Sequence, residues 1–272
     1  VIKEACYYMY GPSDHTFAVV AYGESPYLEE CIQSLLSQDV QSRIIIATST
    51  SNSHILHIAE KYEIPLFINE GRPGIGHDWN CAVGYCDTDL VTIAHQDDVY
   101  LPAYTRAVLS AMNNSELPLI AFTDYGELRD SKPVDVSRLL RIKRILLSSL
   151  KNKRHAASIL VRRRILSFGS PICCPSVTYC RPNLPDPLFF EDMRCNLDWE
   201  TWERFSRLPG EFIYLPELLM RHRIHEGSET TASIKNDTRS REDLTMFEMF
   251  WPKAIAKLVA RVYSTSMDSN QL

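Results

Sequence analysis

The residues of this chain best suited to chemistry cluster at His95-Gln96-Asp97-Asp98, directly behind the apolar run Leu90-Val91-Thr92-Ile93-Ala94. Adjacent carboxylates at the end of a buried strand repel one another and lose hydration, and a divalent cation is the usual compensation. Magnesium or manganese held by one or two carboxylates keeps coordination positions open for a phosphorylated ligand. The same pair also fits a solvated turn. A second group of polar residues, His222-Arg223-Ile224-His225, offers donors for anionic oxygens. His222 and His225 stand three apart on an expected strand, so only one of them should face a shared site, and His225 is the expected one. The glycines of Gly71-x-x-Gly74-x-Gly76 do not match a dinucleotide fingerprint, and a nicotinamide site is not expected.

The elements that must position these residues follow from periodicity. Phe17–Tyr22, Arg43–Ala47, Leu66–Asn69, Leu90–Ala94 and Leu119–Thr123, the last ending at Asp124, are short β-rich runs. Between them lie amphipathic stretches: Pro26 to about Gln38, a segment carrying Ile55, Leu56, Ile58, Ala59 and Tyr62, Ile75 to about Cys86, and Tyr104–Asn113. Such alternation calls for an α/β fold with a mainly parallel sheet covered on both faces. Tyr22-Gly23-Glu24, Thr48 to Asn52, Asn69 to Gly76 and His95 to Asp98 all follow strands, so all fall on the sheet edge where ligands bind. Later segments predict a helix from Asn196 to about Leu208 with Asp198 as N-cap, strands at Phe212–Leu215 and Leu218–Ile224, and one closing helix over roughly Arg241–Tyr263.

A hydrophobic content of 45% and a charged content of 23% fit an ordinary globular chain. No apolar run reaches the ~18–20 residues that span a bilayer, and no signal-peptide pattern opens the sequence. Eight cysteines without C-x-x-C or zinc-ligand spacing point to a reducing, cytoplasmic setting. The net charge of −5 hides a segregation, because residues 138–164 hold ten basic residues and no acidic one. That block suits amphipathic helix. It is either a solvated face or a surface for anionic lipid at the inner face of the cell membrane. Nucleic acid is not expected, since the block lacks interleaved aromatics.

Tyr22-Gly23-Glu24, Asp97-Asp98, Leu197-Asp198-Trp199 and His222-Arg223-Ile224-His225, in this order, resemble glycosyltransferase family 2, of the bacterial surface-polysaccharide type. The likeness runs from about Phe17 to Thr231. It implies a GT-A fold, a Rossmann-like central sheet flanked by helices, over 1–231, with a helical C-terminal extension over 232–272. Residues 15–125 would be the nucleotide-binding half and 126–231 the acceptor-binding half. The resemblance implies Tyr22, Glu24, Thr48, Asp78, Asn80, Asp97, Trp199 and Arg223 as residues around the sugar nucleotide. It implies Asp98 and His225 as ligands of Mn2+ or Mg2+, and Asp198 as the catalytic base. Gly23 replaces the usual Asn, Leu197 the usual Glu, and the Thr48–Asn52 run lacks the usual carboxylates. UDP is the expected nucleotide, with dTDP and GDP open.

The chemistry of an inverting transfer asks for these residue types. An acceptor hydroxyl attacks the anomeric carbon opposite the nucleoside diphosphate, and a carboxylate in reach takes its proton. Asp198 is the candidate and Glu200 the competitor, while a helix cap would account for Asp198 without catalysis. A metal on Asp98 would stabilise the departing diphosphate, and Arg223 and His225 could add donors. Among the tryptophans, Trp199 is best placed to stack on a sugar, with Trp79 and Trp202 assigned to the core. The expected partners are a nucleoside-diphosphate sugar donor and a saccharide or lipid-linked saccharide acceptor. A nucleotidyltransferase of similar fold and a catalytically silent sugar-nucleotide-binding subunit are the rival readings.

Overall fold

A computed structural model describes residues 9–225 and 237–268. Cys6, the Glu226-Gly227 pair and the expected boundary at 231/232 lie outside them. The first half alternates β1 (His15–Ala21), α1 (Leu28–Leu36), β2 (Arg43–Thr48), α2 (Ser53–Lys61), β3 (Leu66–Ile68), α3 (Ile75–Gly84) and β4 (Leu90–His95). Then come β5 (Val99–Tyr100), α4 (Tyr104–Asn113), β6 (Pro118–Arg129), β7 (Lys132–Val134), α5 (Arg138–Leu147), α6 (Ile159–Leu166), β8 (Val177–Cys180), α7 (Leu197–Phe205) and β9 (Glu211–Ile224). Two helices, α8 (Asp237–Glu248) and α9 (Lys253–Asp268), close the described chain.

One sheet runs in the order β3-β2-β1-β4-β8-β6-β9-β5, with β7 paired to β6. Strands β3, β2, β1 and β4 are mutually parallel, and β6 is parallel to β9; β8 is inserted antiparallel between β4 and β6. Strand β1 is central and apolar along nearly its whole length because both faces are covered. Phe17 and Val19 pack with Leu28, Ile32, Ile55 and Tyr104 on one side, and Ala18 packs with Ile93, Phe122 and Trp202 on the other. Helix α2 starts where the Asn52 side chain accepts the Ile55 N–H at 3.0 Å.

Registers set the site. Ala21 lies opposite Thr48, and Val20 opposite His95, so the carboxyl ends of β1, β2 and β4 meet at one edge. Strand β5 runs antiparallel to β9 with Val99 opposite Arg221, which brings the preceding Asp98 beside His222.

Several expected boundaries move. Strand β6 does not stop at Asp124 but continues to Arg129, since the Asp124 carboxylate is paired with Arg144 Nε at 2.6 Å and can stay in the sheet. The two strands expected over 212–224 are one strand. The register steps from Thr123–Leu215 to Asp124–Leu218, so Pro216 and Glu217 form a bulge that spares Pro216 a ladder bond. The closing helix is two helices, broken ahead of Pro252. Asp198 is inside the first turn of α7, with Asn196 at the cap.

The basic segment forms α5, α6 and short 3-10 turns, and four of its cations turn inward. Arg144 holds Asp124, Lys143 donates to the Tyr125 hydroxyl at 2.8 Å, Arg162 donates to the Leu208 and Gly210 carbonyls, and Arg163 pairs with Glu203. Among the described residues, no helix is long and apolar enough to cross a membrane.

His15 gives a test of the core. It is fully buried between Ser42 and Thr92, and burial pushes its pKa down to about 3 from 6.5. The unfolded chain binds the extra proton between these values. The His15 contribution is therefore complete above pH 6.5 and is lost as pH falls toward 3, at up to ~1.4 kcal/mol per pH unit. Urea unfolding between pH 7 and 5 should show a shallower loss of stability in His15→Gln than in the wild type, while equal slopes would count against the buried neutral imidazole.

Candidate active site

Asp97 and Asp98 form the turn between β4 and β5, and the end of β9 grips it from the other side. Asp98 is 0% exposed. Its Oδ1 accepts the Arg223 N–H at 2.8 Å and His222 Nδ1 at 2.9 Å. Its Oδ2 is buried without a hydrogen-bond partner, as is Nε2 of neighbouring His95. Leaving such atoms unsatisfied is costly. His95, Asp97 and Asp98 each bring a ligand atom within 4.8 Å of the others, a group able to hold a metal ion. An oxygen-rich set with one imidazole and two orphaned buried atoms fits a divalent cation.

The charges around the turn are coupled. Burial alone would lower the His222 pKa, but Asp98 and Asp97 raise it to about 9. Burial works against the Asp97 carboxylate, and His95, His222 and a 2.9 Å contact from His225 Nε2 outweigh it, so its pKa is lowered. Burial pushes the His95 imidazole down.

Both His222 and His225 thus reach the aspartates, contrary to the expectation that only one could. Strand β9 ends at Ile224, so the period-two alternation no longer governs His225. His225 contacts Asp97 and the Tyr27 ring, and the third member of the potential ligand group is His95 instead. Arg223 is 2% exposed and braces the turn from inside: Nε donates to the Asp97 carbonyl at 2.8 Å, and another guanidinium nitrogen pairs with Glu30 at 2.6 Å. It is not free to meet a diphosphate.

The remaining expected residues line the same edge. Tyr22 is exposed, and its backbone exchanges two hydrogen bonds with the Gln96 amide, tying β1 to the acidic turn. Gly23, at φ 59°, donates its N–H to Thr50, and Glu24 is exposed on that turn. Thr48 is buried and accepts the Thr50 N–H at 3.0 Å. The Asp78 carboxylate of α3 accepts from Asn69 at 2.9 Å and from Ser49 at 3.1 Å, so the ends of β2 and β3 share one acceptor. The Asn80 amide is fastened to the Phe189 backbone by two hydrogen bonds.

Asp198 and Glu200 sit two residues apart on α7 and face different surroundings. Glu200 faces Arg204. Asp198 accepts the Trp199 N–H at 2.7 Å, and burial raises its pKa, with Lys143 and Arg239 pulling the other way. Burial pushes the Cys173 and Cys174 thiols up, and the charges of Asp98 and Asp198 both add to that shift.

Trp199 does not face a ligand. It is 0% exposed, its indole N–H donates to the Leu166 carbonyl at 3.0 Å, and it packs on Phe247, Phe250 and Tyr263. Trp79, assigned from sequence to the core, is the half-buried one, its ring tilted against that of His95 with centres 5.3 Å apart. His95, His222, Trp79 and Lys143 are the residues that sequence reasoning missed. His95 was visible in the tetrapeptide, whereas nothing in the charge count separates Lys143 from its neighbours.

The sequence profile of Glycosyl transferase family 2 matches residues 16–164, more than half of the chain. The chain belongs to glycosyltransferase family 2. Its fold is that of solved family structures. Staphylococcus aureus TarS 1–349 in complex with UDP-GlcNAc superposes with a TM-score of 0.61 at 16% identity, covering 92% of this chain and 71% of that one. The mannosyltransferase PcManGT of Pyrobaculum calidifontis, with GDP-Man and Mn2+, gives 0.62 at 16% identity, covering 93% and 71%. The glucosyl-3-phosphoglycerate synthase of Mycobacterium tuberculosis, with Mn2+ and UDP-glucose, gives 0.60 at 16% identity, covering 87% and 79%. No curated protein matches the chain in sequence. This glycosyltransferase is therefore a GT-A enzyme whose acidic turn lies at the sheet edge described above.

The two tryptophans separate structural from ligand roles. Trp199→Ala should cost about 3–5 kcal/mol in denaturant unfolding and leave sugar-nucleotide affinity of the folded protein unchanged. A tenfold loss of affinity at unchanged stability would return the indole to the site.

Proposed function

We propose that this protein is a metal-dependent inverting glycosyltransferase. It moves a sugar from a nucleoside diphosphate, a UDP-sugar in our reading, to a hydroxyl of a lipid-linked or growing surface polysaccharide. The observation that carries the proposal is the carboxylate oxygen left open at buried Asp98, inside a His95, Asp97 and Asp98 group able to hold a metal ion. Asp98, with His95 and Asp97, would hold Mn2+ or Mg2+, which supplies a Lewis acid for the departing diphosphate. Neighbours of this fold carry Mn2+ with GDP-Man or with UDP-glucose, and one carries UDP-GlcNAc, in keeping with such a site.

In this reading the chain's own residues divide the work. Arg223, His222 and His225 keep the acidic turn rigid, and Asp97 serves the sugar or ribose. Tyr22, Glu24, Thr48 and Asp78 border the nucleotide, with Trp79 closing that side near His95. Asp198 takes the proton of the acceptor hydroxyl, a task for which burial suits it, since a raised pKa makes a carboxylate a stronger base. Lys143 and Arg239 pull against that rise. The 15–125 segment acts as the nucleotide half, 126–231 as the acceptor half, and 232–272 as an extension whose helices α8 and α9 pack on Trp199.

The test is turnover of UDP-sugars with Mn2+ and saccharide acceptors. Release of UDP supports transfer, pyrophosphate indicates nucleotidyl transfer, and release of neither from any sugar nucleotide tried would refute an active enzyme. Asp198→Asn should lower kcat by roughly 10²–10⁴-fold. Because Asp198 must be ionised, kcat/KM should fall with decreasing pH at an inflection above the ordinary aspartate range. A profile flat down to pH 4.5 would contradict the base assignment.

A further inference from the structure

Helix α9 is three-sided. Ala256, Val259, Ala260 and Tyr263 pack inward on the main core. Ile255, Leu258 and Val262 form a separate stripe, exposed by 45%, 63% and 65%. Lys253, Lys257 and Arg261, all exposed, make the third face, and no acidic residue occurs from Trp251 to Met267. At 3.6 residues per turn the apolar stripe and the basic face are adjacent and both point away from the domain. Exposed Phe168 lies near the start of α9, with its ring 5.3 Å from Trp251.

We propose that this face of α9 lies on a bilayer containing anionic lipid, with the apolar stripe among acyl chains and the lysines at the headgroups. The pattern is that of an interfacial helix, apolar on one exposed side and cationic beside it. Charge complementarity favours lipid: the chain is net acidic at −5, yet this surface is uniformly cationic. A second copy of the chain fits less well, because three or four side chains cover far less than the ~800 Å² per partner of a stable interface. The helix is 16 residues long and is not apolar enough to cross the membrane, so it lies on it.

This assignment puts the contact on α9 rather than on residues 138–164, where four cations are internal and six, Arg138 and Arg141 among them, are exposed. It rests on the transferase reading for its purpose. The inward face of α9 places Tyr263 6.1 Å from Trp199, ring centre to ring centre, and Trp199 follows Asp198 directly. A bilayer on the outer face would be about one helix diameter, ~10 Å, from the Tyr263 layer that backs the base, where a lipid-linked acceptor must arrive.

The experiment is flotation of the full chain with vesicles of phosphatidylcholine alone and of phosphatidylcholine with phosphatidylglycerol. Binding is expected only to the anionic vesicles, with at least a tenfold loss in Leu258→Glu/Val262→Glu and a clear loss in Lys253→Glu/Lys257→Glu. Arg138→Glu/Arg141→Glu, on α5, should bind within about twofold of wild type. Unfolding midpoints and UDP-sugar hydrolysis of each variant report that the fold is intact. Flotation unaffected by the α9 changes, absence of binding to either vesicle, or a dimer in light scattering that the same changes abolish would each overturn the proposal. Flotation with no nucleotide release would leave the membrane assignment standing and defeat the transferase reading alone.

Discussion

The rest of this structure is arranged around one buried carboxylate. Asp98 has no solvent to stabilise its charge, so the chain supplies donors from a segment more than a hundred residues away: the Arg223 N–H and the His222 ring on one oxygen, with the Arg223 side chain fixing the turn from beneath. Those donors exist only because β9 extends far enough to pair with β5, and it extends that far only because the bulge at Pro216 absorbs a change of register against β6. The second oxygen of Asp98 is left open. A fold that satisfies one oxygen with such care and leaves its partner bare is prepared for a ligand at that point.

The first half of the chain was legible because each strand and helix follows its local period. The strands at 15–21, 43–48 and 90–95 and the helix at 104–113 stand within a residue or two of their expected bounds. The acidic turn, its place at the strand edge and its family likeness were equally visible. What sequence could not show was where long-range pairing overrides local signals. Asp124 reads as a strand stop until Arg144 neutralises it, and Pro216 reads as a break until a bulge accommodates it. His225 obeys the strand alternation only if the strand continues, and it does not. Trp199 and Trp79 exchanged their expected roles because burial depends on α8 and α9, which dock on Trp199 from the far end of the chain.

Charge shows the same lesson. Ten cations in one block suggested a single basic surface, yet four of them serve the interior: Arg144 on Asp124, Lys143 on Tyr125, Arg162 on two carbonyls and Arg163 on Glu203. A sequence count cannot distinguish a cation that holds the fold together from one that meets a partner. Exposed cations stand beside exposed aliphatic side chains on α9, with Lys253 and Lys257 next to Leu258 and Val262, and also on α5, with Arg138 and Arg141 next to Ile142 and Ile145.

The claim that Asp98 anchors a divalent metal for the sugar nucleotide is most directly tested by electron paramagnetic resonance of Mn2+ titrated into the protein with and without UDP-sugar. The account predicts Mn2+ bound with the nucleotide in the wild type and in Asp198→Asn, and loss of that bound signal in folded Asp98→Asn. Undiminished Mn2+ binding in Asp98→Asn, or loss of it in Asp198→Asn instead, would contradict the account.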